Sequence, residues 1–453
     1  MKKHADGWVL TIALSLCILG IVMVFSSSLV TTASSYDFNR DPYFFLRRQL
    51  VYFVLALICM AVVRRIDLEV WRPWLGFPSV VSAVGLLIMV LIAGPEINGA
   101  HRWIIIGGFQ FQPAEFAKLA IIFYMADFLA RRGEKIQHFI RVVPALAIWG
   151  IVLILIEREP DLGTALVVAG VFMAMLYVAG ARLFHLGSMA GAGALVVVMS
   201  IIAKPYRIKR ITAFLNPEQD PQGSGYHAIQ SLIALGSGGV LGRGLGASHQ
   251  KFKYLPEAHT DYIFAILGEE LGLLGAAAVL VLFVCLLYKG FRIAVHCRQP
   301  YFRFLAAGLT FQLTLQALLN IGVVSGALPS TGIPLPFISY GGTSLLSSLI
   351  SIGLLLNISE ASARHRASRK KPTRKVRRAR SGATLTSSRE DSVEPVSSGS
   401  WERDAAGERL RSSKESLPRP AVEPGLVKQG RVGWGYRRRS LRKSDEWETG
   451  SHR

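Results

Sequence analysis

The chain has 453 residues, 51% of them apolar, and a formal net charge of +21. The apolar residues are gathered in blocks, many of them near the roughly 20 residues that a helix needs to cross a bilayer, which excludes an ordinary soluble globular fold. The four cysteines show neither a disulfide framework nor metal-ligand spacing.

These blocks predict an all-α polytopic membrane protein with ten transmembrane helices. In chain order the predicted spans are residues 8–25, 48–64, 74–94, 113–130, 140–156, 162–180, 183–203, 261–288, 303–326 and 335–358. The first apolar run, of about 17 residues, exceeds the core of a signal peptide, so we expect it to remain as an uncleaved span.

The orientation follows from Lys and Arg in short loops, because cytoplasmic loops carry an excess of both. With the N-terminus inside, the inner connections contain Arg64, Arg65, Arg72, Arg131, Arg132, Lys135, Arg182, Lys289, Arg292, Arg298 and Arg303. The short outer connections are poorer, with Arg40, Arg102 and Arg158. Ten spans then place both termini in the cytoplasm and the large 204–260 loop, between spans 7 and 8, outside.

The composition changes after about Glu360. Residues 361–453 contain 24 Lys and Arg against 11 Asp and Glu, a surplus of 13 positive charges. This segment is rich in Ser, Arg, Gly and Pro and has no periodicity, which predicts a disordered cytoplasmic tail beside a transmembrane domain of residues 1–360. We expect its basic clusters, at 364–380 and 437–443, to bind anionic inner-leaflet lipids rather than nucleic acid.

The polar motifs fall on the predicted outer side, where a cytoplasmic nucleotide would not reach them. They are residues 98–103, 157–161, 204–260 and 325–336. The glycine-rich run 236–244 lacks the Gly-Lys-Ser/Thr ending of a P-loop, so it predicts a flexible or re-entrant turn, with amides that could approach a lipid phosphate. Chemistry or recognition is therefore expected outside.

The leading candidate site lies where this loop meets the eighth span and contains Glu257, His259 and Asp261. Ionisable groups are costly at such a boundary and therefore indicate a site. The structural alternative is that Asp261 caps its helix, but Thr260 could do so instead. A partly desolvated carboxyl with acidic neighbours would have a pKa raised towards that of a general base.

Other candidates have structural alternatives of similar weight. Asp161 also begins a span, so capping and a direct role are both open. Glu115 and Lys118 share a helix face, as a structural ion pair or a phosphate site. Gln312, Gln316 and Asn320 form a polar stripe that favours interhelical hydrogen bonds. The cations of the large loop suit an anionic head group or outer-leaflet lipids; they are Lys204, Arg207, Lys209, Arg210, Arg243, Lys251 and Lys253.

Five segments together resemble the SEDS family (shape, elongation, division and sporulation). They are residues 98–103, 112–118, 160–164, 255–261 and 334–344, in order along all ten predicted spans. Glu257-Ala258-His259 and Gly268-Glu269-Glu270 resemble the division type more than the elongation type, and a member of the sporulation type would share nearly all of these residues. The chain departs from the family at Ala114, where Ser is frequent, and at His101, where a second Arg is common.

The resemblance implies a peptidoglycan glycosyltransferase that polymerises lipid II outside the bacterial cytoplasmic membrane, at the division septum, and releases undecaprenyl pyrophosphate. The essential acid of the family maps onto Asp261, which would be the general base. The substrate-binding candidates are Arg102, Glu115, Lys118, Asp161, Arg207, Arg210, Lys251, Glu257 and His259. The cations among them would hold the pyrophosphate, alone or with Mg²⁺ or Mn²⁺, and no residue is assigned as a metal ligand.

The implied partners are lipid II, a class B penicillin-binding protein transpeptidase and other divisome membrane proteins. Two alternatives are a lipid II flippase and a non-catalytic divisome scaffold. A flippase would favour an inner polar constellation matching the outer one, and none is present in the sequence. A scaffold has no need of an acid at the corner between loop and helix.

Overall fold

The computed structural model describes residues 7–34, 41–97, 99–107, 109–223, 225–252 and 254–370, which are mostly helical. The helices are α1 (Gly7–Ser34), α2 (Phe44–Arg65), α3 (Leu68–Leu75), α4 (Phe77–Ala93), α5 (Pro113–Arg132), α6 (Val143–Arg158), α7 (Leu162–Val178), α8 (Leu183–Ile202), α9 (Pro205–Leu215), α10 (Tyr226–Ser237), α11 (Ile263–His296), α12 (Pro300–Val324) and α13 (Gly342–Lys370). Short 3₁₀ turns lie at Gly133–Gln137, Phe139–Arg141 and Pro217–Gln219.

Two small antiparallel hairpins connect α4 to α5. The strands are β1 (Glu96–Ile97), β2 (Ala100–His101), β3 (Ile104–Ile106) and β4 (Phe109–Phe111). β1 pairs with β2, and β3 pairs with β4. Arg102 therefore lies between the two hairpins. After β4, Pro113 occupies the first position of α5, where its fixed φ favours a helix and its missing N–H costs nothing.

Every predicted span coincides with a helix, but not all of these helices are equally suited to a bilayer. Within the described ranges, six are long and apolar enough to cross a membrane: α1, α2, α8, α11, α12 and α13. A seventh candidate is α3 with α4, which are bent by 48°. α6 and α7 have 16 and 17 residues, and α5 carries several charges. The polytopic helical class is confirmed, and the number ten stays a prediction.

The bundle has a buried centre and a lipid-like periphery. α12 packs against α5, α7, α11 and α13. α5 and α12 bury most of their side chains, including polar ones, whereas Leu186 is the one buried residue of α8. Apolar side chains such as Leu195 and Val196 are exposed on α8, as expected for a surface that faces hydrocarbon. The interior therefore provides the environment in which polar residues can pair with one another.

The glycine-rich run fills a break in α11 at Gly272, whose φ of +67° is non-helical. The N–H groups of Arg243 and Gly244 donate to the carbonyls of Glu269 and Glu270, each at 3.0 Å. On the other side of the break, the N–H of Leu273 donates to Gly239 O at 2.9 Å. The run thus satisfies backbone groups that the broken helix exposes. The expectation that its amides approach a lipid phosphate is wrong for Arg243 and Gly244.

Glycine is required in this run because the backbones approach so closely. A Cβ on Gly242 would lie 2.2 Å from Glu270 O, and one on Gly238 would lie 2.1 Å from Gly268 O. Neither contact can be relieved by turning a side chain, since both neighbours are main-chain atoms.

The last helix, α13, extends ten residues beyond Glu360, into the segment predicted as tail. The rest of that segment, 371–453, lies outside the described residues, together with the basic cluster at 437–443 and most of the cluster at 364–380. Asn98 and Lys253 also lie outside them.

Candidate active site

The segment that carries Asp261 is held by three consecutive main-chain carbonyls. His259 O accepts the Tyr340 N–H at 2.9 Å, Thr260 O accepts the Ser339 hydroxyl at 2.6 Å, and Asp261 O accepts the Asn320 amide at 2.8 Å. Asn320 belongs to α12, and the other two donors belong to the α12–α13 connection. Two elements distant in sequence therefore fix the backbone of Asp261.

The α12–α13 connection is itself braced. Ser339 Oγ accepts the Leu335 N–H at 2.8 Å while it donates to Thr260. Asn320 Nδ2 donates to Ile333 O at 2.7 Å in addition to Asp261 O. Phe337 has a φ of +68°, and Gly332 a φ of +71°. These contacts fold the connection back onto the start of α11.

Asp261 does not cap a helix. α11 begins at Ile263, its N-cap residue is Tyr262, and no side chain caps it. The Thr260 hydroxyl, expected as an alternative cap, donates instead to the Glu257 carboxylate at 2.8 Å. The structural explanation of Asp261, capping, is therefore wrong.

The carboxyl of Asp261 is tuned to the neutral range. Its pKa is raised to about 7, chiefly by burial and then by the charges of Glu257 and Asp161, against the opposing charges of Arg102 and Arg210. Part of its surface is still exposed. A carboxyl with this pKa can take up a proton at neutral pH, as a general base must.

Arg102 organises the turn opposite Asp261. Its Nε donates to Glu159 O at 2.7 Å and its Nη2 donates to Pro160 O. Pro160 has a φ of +30°, a strained value that this clamp helps to hold. Asp161 follows and caps α7: its Oδ1 accepts the Thr164 N–H at 3.0 Å. Capping, one of the two roles expected for Asp161, is thus confirmed.

With this geometry established, comparison with known proteins decides the family. The family model described as Cell cycle protein, FtsW/RodA/SpoVE, matches residues 7–364. The chain belongs to this family. It is 44% identical over 364 residues to stage V sporulation protein E of Bacillus subtilis, covering 80% of this chain and 98% of that protein. It is 41% identical to the probable peptidoglycan glycosyltransferase FtsW of Geobacter sp. (strain M18), covering 79% and 98%.

Solved structures agree with this assignment. One chain of a peptidoglycan synthase complex that coordinates polymerization and crosslinking aligns with a TM-score of 0.65 and 32% identity, covering 79% of this chain and 98% of that chain. The rod shape determining protein RodA of Thermus thermophilus aligns with a TM-score of 0.59 and 28% identity, covering 79% and 97%. The resemblance to the SEDS family is confirmed, and this FtsW/RodA/SpoVE member is a multi-pass membrane protein.

The cations predicted to bind pyrophosphate do not form one group in this FtsW/RodA/SpoVE member. Arg102 and Arg210 act on the pKa of Asp261. Lys118 instead lies 2.7 Å from Glu115, Arg207 pairs with Glu157, and Lys251 lies 3.5 Å from Glu270. These last three cations are each at least 95% buried. Their charges are compensated by carboxylates of the protein.

His259 is a packing residue by its contacts. Its ring lies 4.4 Å from the ring of Phe45 and 5.8 Å from that of Tyr340, centroid to centroid. Burial lowers its pKa, with the charge of Glu257 opposing, so the ring is neutral at neutral pH. Glu257 is exposed, with a φ of +54°. Next to Asp261, it contributes negative charge rather than a salt bridge.

Sequence reasoning missed Glu159 as a candidate. Its side chain is 0% exposed, and both carboxyl oxygens lack a hydrogen-bond partner among the described residues. Its pKa is raised to about 8, chiefly by burial and then by the charge of Asp161, against the opposing charge of Arg102. The indication in the sequence was acidic residues at alternate positions 157, 159 and 161, beside a proline at the end of a span.

The described residues provide no ready-made ligand cluster for the divalent cation considered from the sequence. No group of three or more His, Cys, Asp or Glu within the described part of the chain is placed to hold a metal ion.

Proposed function

We propose that the protein is a peptidoglycan glycosyltransferase that polymerises lipid II on the outer face of the bacterial cytoplasmic membrane. The observation that carries this proposal is Asp261, whose main chain is braced and whose carboxyl has a pKa of about 7 and caps no helix. The naming of similar proteins as probable peptidoglycan glycosyltransferases supports the same reaction class.

The reaction needs one base and a stabilised leaving group. The 4-hydroxyl of the acceptor GlcNAc attacks the anomeric carbon of the donor, and the bond from that carbon to the pyrophosphate oxygen breaks with inversion. Asp261 takes the hydroxyl proton, and undecaprenyl pyrophosphate leaves with the electron pair. Arg102 and Arg210, the cations that act on Asp261, would stabilise the negative charge that develops on the phosphates.

The proposed topology has ten spans, the 204–260 loop and this site outside, both termini inside and a basic tail from about residue 361. Ten predicted blocks that each coincide with a helix support it. A septal role with a class B penicillin-binding protein partner is supported by FtsW and SpoVE relatives and by the solved synthase complex. The tail is proposed to bind anionic lipids.

A lipid II flippase is the second candidate, because buried polar groups could line a route through the bundle. Glu115, Lys118 and Gln316 are such groups, but they bind one another. Lys118 and Glu115 are each 2% exposed, so the set is a closed network. This favours the polymerase over the flippase.

The test is glycan-strand synthesis by the purified protein with its transpeptidase partner, using fluorescent lipid II. We expect Asp261→Asn to reduce the rate by at least about 100-fold, since it removes a positioned base. The matched control is Asp127→Asn, because Asp127 pairs with Arg72 and Arg131 at the opposite end of α5 and should tolerate the change catalytically.

Strand synthesis at the wild-type rate in Asp261→Asn would remove Asp261 from the role of base. Transfer of labelled lipid II across vesicles without polymer would favour the flippase. The absence of both synthesis and transfer, with the partner still bound, would favour the scaffold.

A further inference from the structure

Three buried amides occupy successive turns of α12, but they make different contacts. Both polar atoms of Gln312 lack a hydrogen-bond partner among the described residues. Gln316 and Asn320, one and two turns later, both donate to the connection that follows α12. Gln316 and Asn320 therefore hold the α12–α13 connection, and Gln312 is an internal control that makes no such contact.

Asn320 links the α12–α13 connection to the candidate base, Asp261. Its Nδ2 donates to Asp261 O at 2.8 Å and to Ile333 O at 2.7 Å. One amide thus ties the main chain of Asp261 to the loop beside it. Since the accepting carbonyl belongs to Asp261 itself, a displacement of Asn320 would be transmitted to the main chain that carries the carboxyl.

Gln316 connects the same loop to the buried ion pair. Its Nε2 donates to Pro334 O at 3.0 Å, while its Oε1 accepts from Lys118 Nζ at 2.8 Å. The orientation of this amide is chemically determined, because an ammonium group can only donate and a carbonyl can only accept. Lys118 therefore directs the amide N–H of Gln316 towards Pro334.

The ion pair is anchored at its far end. Glu115 Oε1 accepts from Lys118 at 2.7 Å, and Glu115 Oε2 accepts from Ser347 Oγ of α13 at 2.7 Å. The chain of contacts runs from α13 through α5 to α12 and then to the loop that holds Asp261. All four side chains, of Ser347, Glu115, Lys118 and Gln316, are at least 98% buried.

We propose that Gln316 and Asn320 are positioning residues for Asp261, and that the Glu115–Lys118 pair orients Gln316 rather than binding substrate. This inference rests on the proposed glycosyl transfer. It assigns a role to a buried ion pair that has no exposed surface with which to contact a phosphate, and it explains why α12 carries amides at these two turns.

The test compares Gln316→Leu and Asn320→Leu with Gln312→Leu in the strand-synthesis assay. For the first two we expect kcat to fall by about 10- to 100-fold with KM changed less than about twofold, because a displacement of about 1 Å at a base has that effect. Gln312→Leu should retain wild-type kcat. The acid limb of the pH–rate profile should move in the first two variants alone, since the surroundings of Asp261 change.

The ion pair is tested by Glu115→Leu with Lys118→Leu, a double change that leaves no unpaired buried charge. Positioning predicts a lower kcat at unchanged KM, whereas substrate binding by Lys118 predicts a higher KM. Thermal denaturation checks that each leucine variant is folded. If one is not, Ser339→Ala is used instead, because it removes a neighbouring contact to the same segment, at Thr260 O, and should also lower kcat.

Wild-type kinetics in Gln316→Leu and Asn320→Leu, with Asp261→Asn inactive, would overturn this inference and leave the proposed function intact. A rise in KM at constant kcat would also overturn it. An inactive wild type would instead count against the proposed function.

Discussion

Asp161 and Asp261 both stand just before a helix, yet their carboxyls are used in opposite ways. Asp161 directly precedes α7 and accepts hydrogen bonds from the Thr164 N–H, the Thr164 hydroxyl and the Gln112 amide. Asp261 lies two residues before α11, and its carboxyl receives no hydrogen bond from the residues that the structure describes. Its main chain, not its side chain, is what the fold holds.

Whether the carboxyl oxygens are occupied by donors determines which of the two residues can react with a substrate. A carboxyl whose oxygens are occupied by donors stabilises local structure and has little capacity left for a substrate. A carboxyl that is partly buried, has few donors around it and lies near other acids has a pKa near neutrality, so it can exchange a proton with a substrate. A difference of one residue in the distance to the helix start separates these outcomes.

The Asp261 carboxyl can be disturbed without replacing Asp261, by adding a methyl group beside it. A Cβ on Gly332 would lie 3.5 Å from Asp261 Oδ2, and the φ of +71° disfavours any other residue. We expect Gly332→Ala to lower kcat by about tenfold or more, because its methyl group would lie in van der Waals contact with the carboxyl and obstruct the approach of the acceptor hydroxyl. The measurement is strand synthesis together with thermal denaturation.

Gly326→Ala is the matched control for Gly332→Ala. Its φ is +72°, so it has a similar backbone cost of about 1–2 kcal/mol, but its Cβ would contact Leu232 instead. Equal losses of kcat in both variants would mean that backbone strain, not proximity to Asp261, causes the effect.

The reaction rate should depend on pH through the Asp261 carboxyl. The pKa of Asp261 is raised to about 7, chiefly by burial and then by Glu257 and Asp161. Since a base must be ionised, we expect the rate to fall about tenfold per pH unit below 7. Because folding favours the protonated form, stability from this carboxyl is present at low pH and is lost as the pH rises through 7.

Ionisation of Glu159 should give the pH–rate profile an alkaline limb. Its pKa is raised to about 8 by burial, then by Asp161, so above pH 8 it adds negative charge close to Arg102. We expect the rate to decline there, and Glu159→Gln to abolish the decline while leaving the acid limb in place. Glu218→Gln, which alters an exposed carboxylate, is the control. An alkaline limb that persists in Glu159→Gln would refute this assignment.

Hydropathy predicted the helices because bilayer-length apolar blocks are a direct consequence of the solvent they meet. The break at Gly272 escaped it, since apolar residues continue on both sides. Asp261 could be selected from its cost at a boundary. Asn320, Ser339 and Tyr340 could not be assigned to it, because they are uncharged and come from segments 59 to 79 residues away along the chain. Glu159 escaped because its burial depends on tertiary packing.

The smallest expected effect concerns stability at the two helix starts. Asp161→Ala removes a cap and should cost about 1 kcal/mol of unfolding free energy. Asp261→Ala removes no cap, and because folding raises the pKa of this carboxyl, its loss should not lower the stability at neutral pH. Thermal denaturation of both variants tests this, and an equal loss of stability in the two would erase the distinction between them.

Asp161→Asn separates the cap from the charge. An asparagine keeps a side-chain oxygen for the Thr164 N–H, so the helix start should survive. It removes a negative charge that raises the pKa of Asp261, so the acid limb of the rate profile should move to lower pH. A profile that moves while the stability stays constant would show that Asp161 acts on Asp261 through its charge alone. A profile that stays fixed would confine Asp161 to its helix.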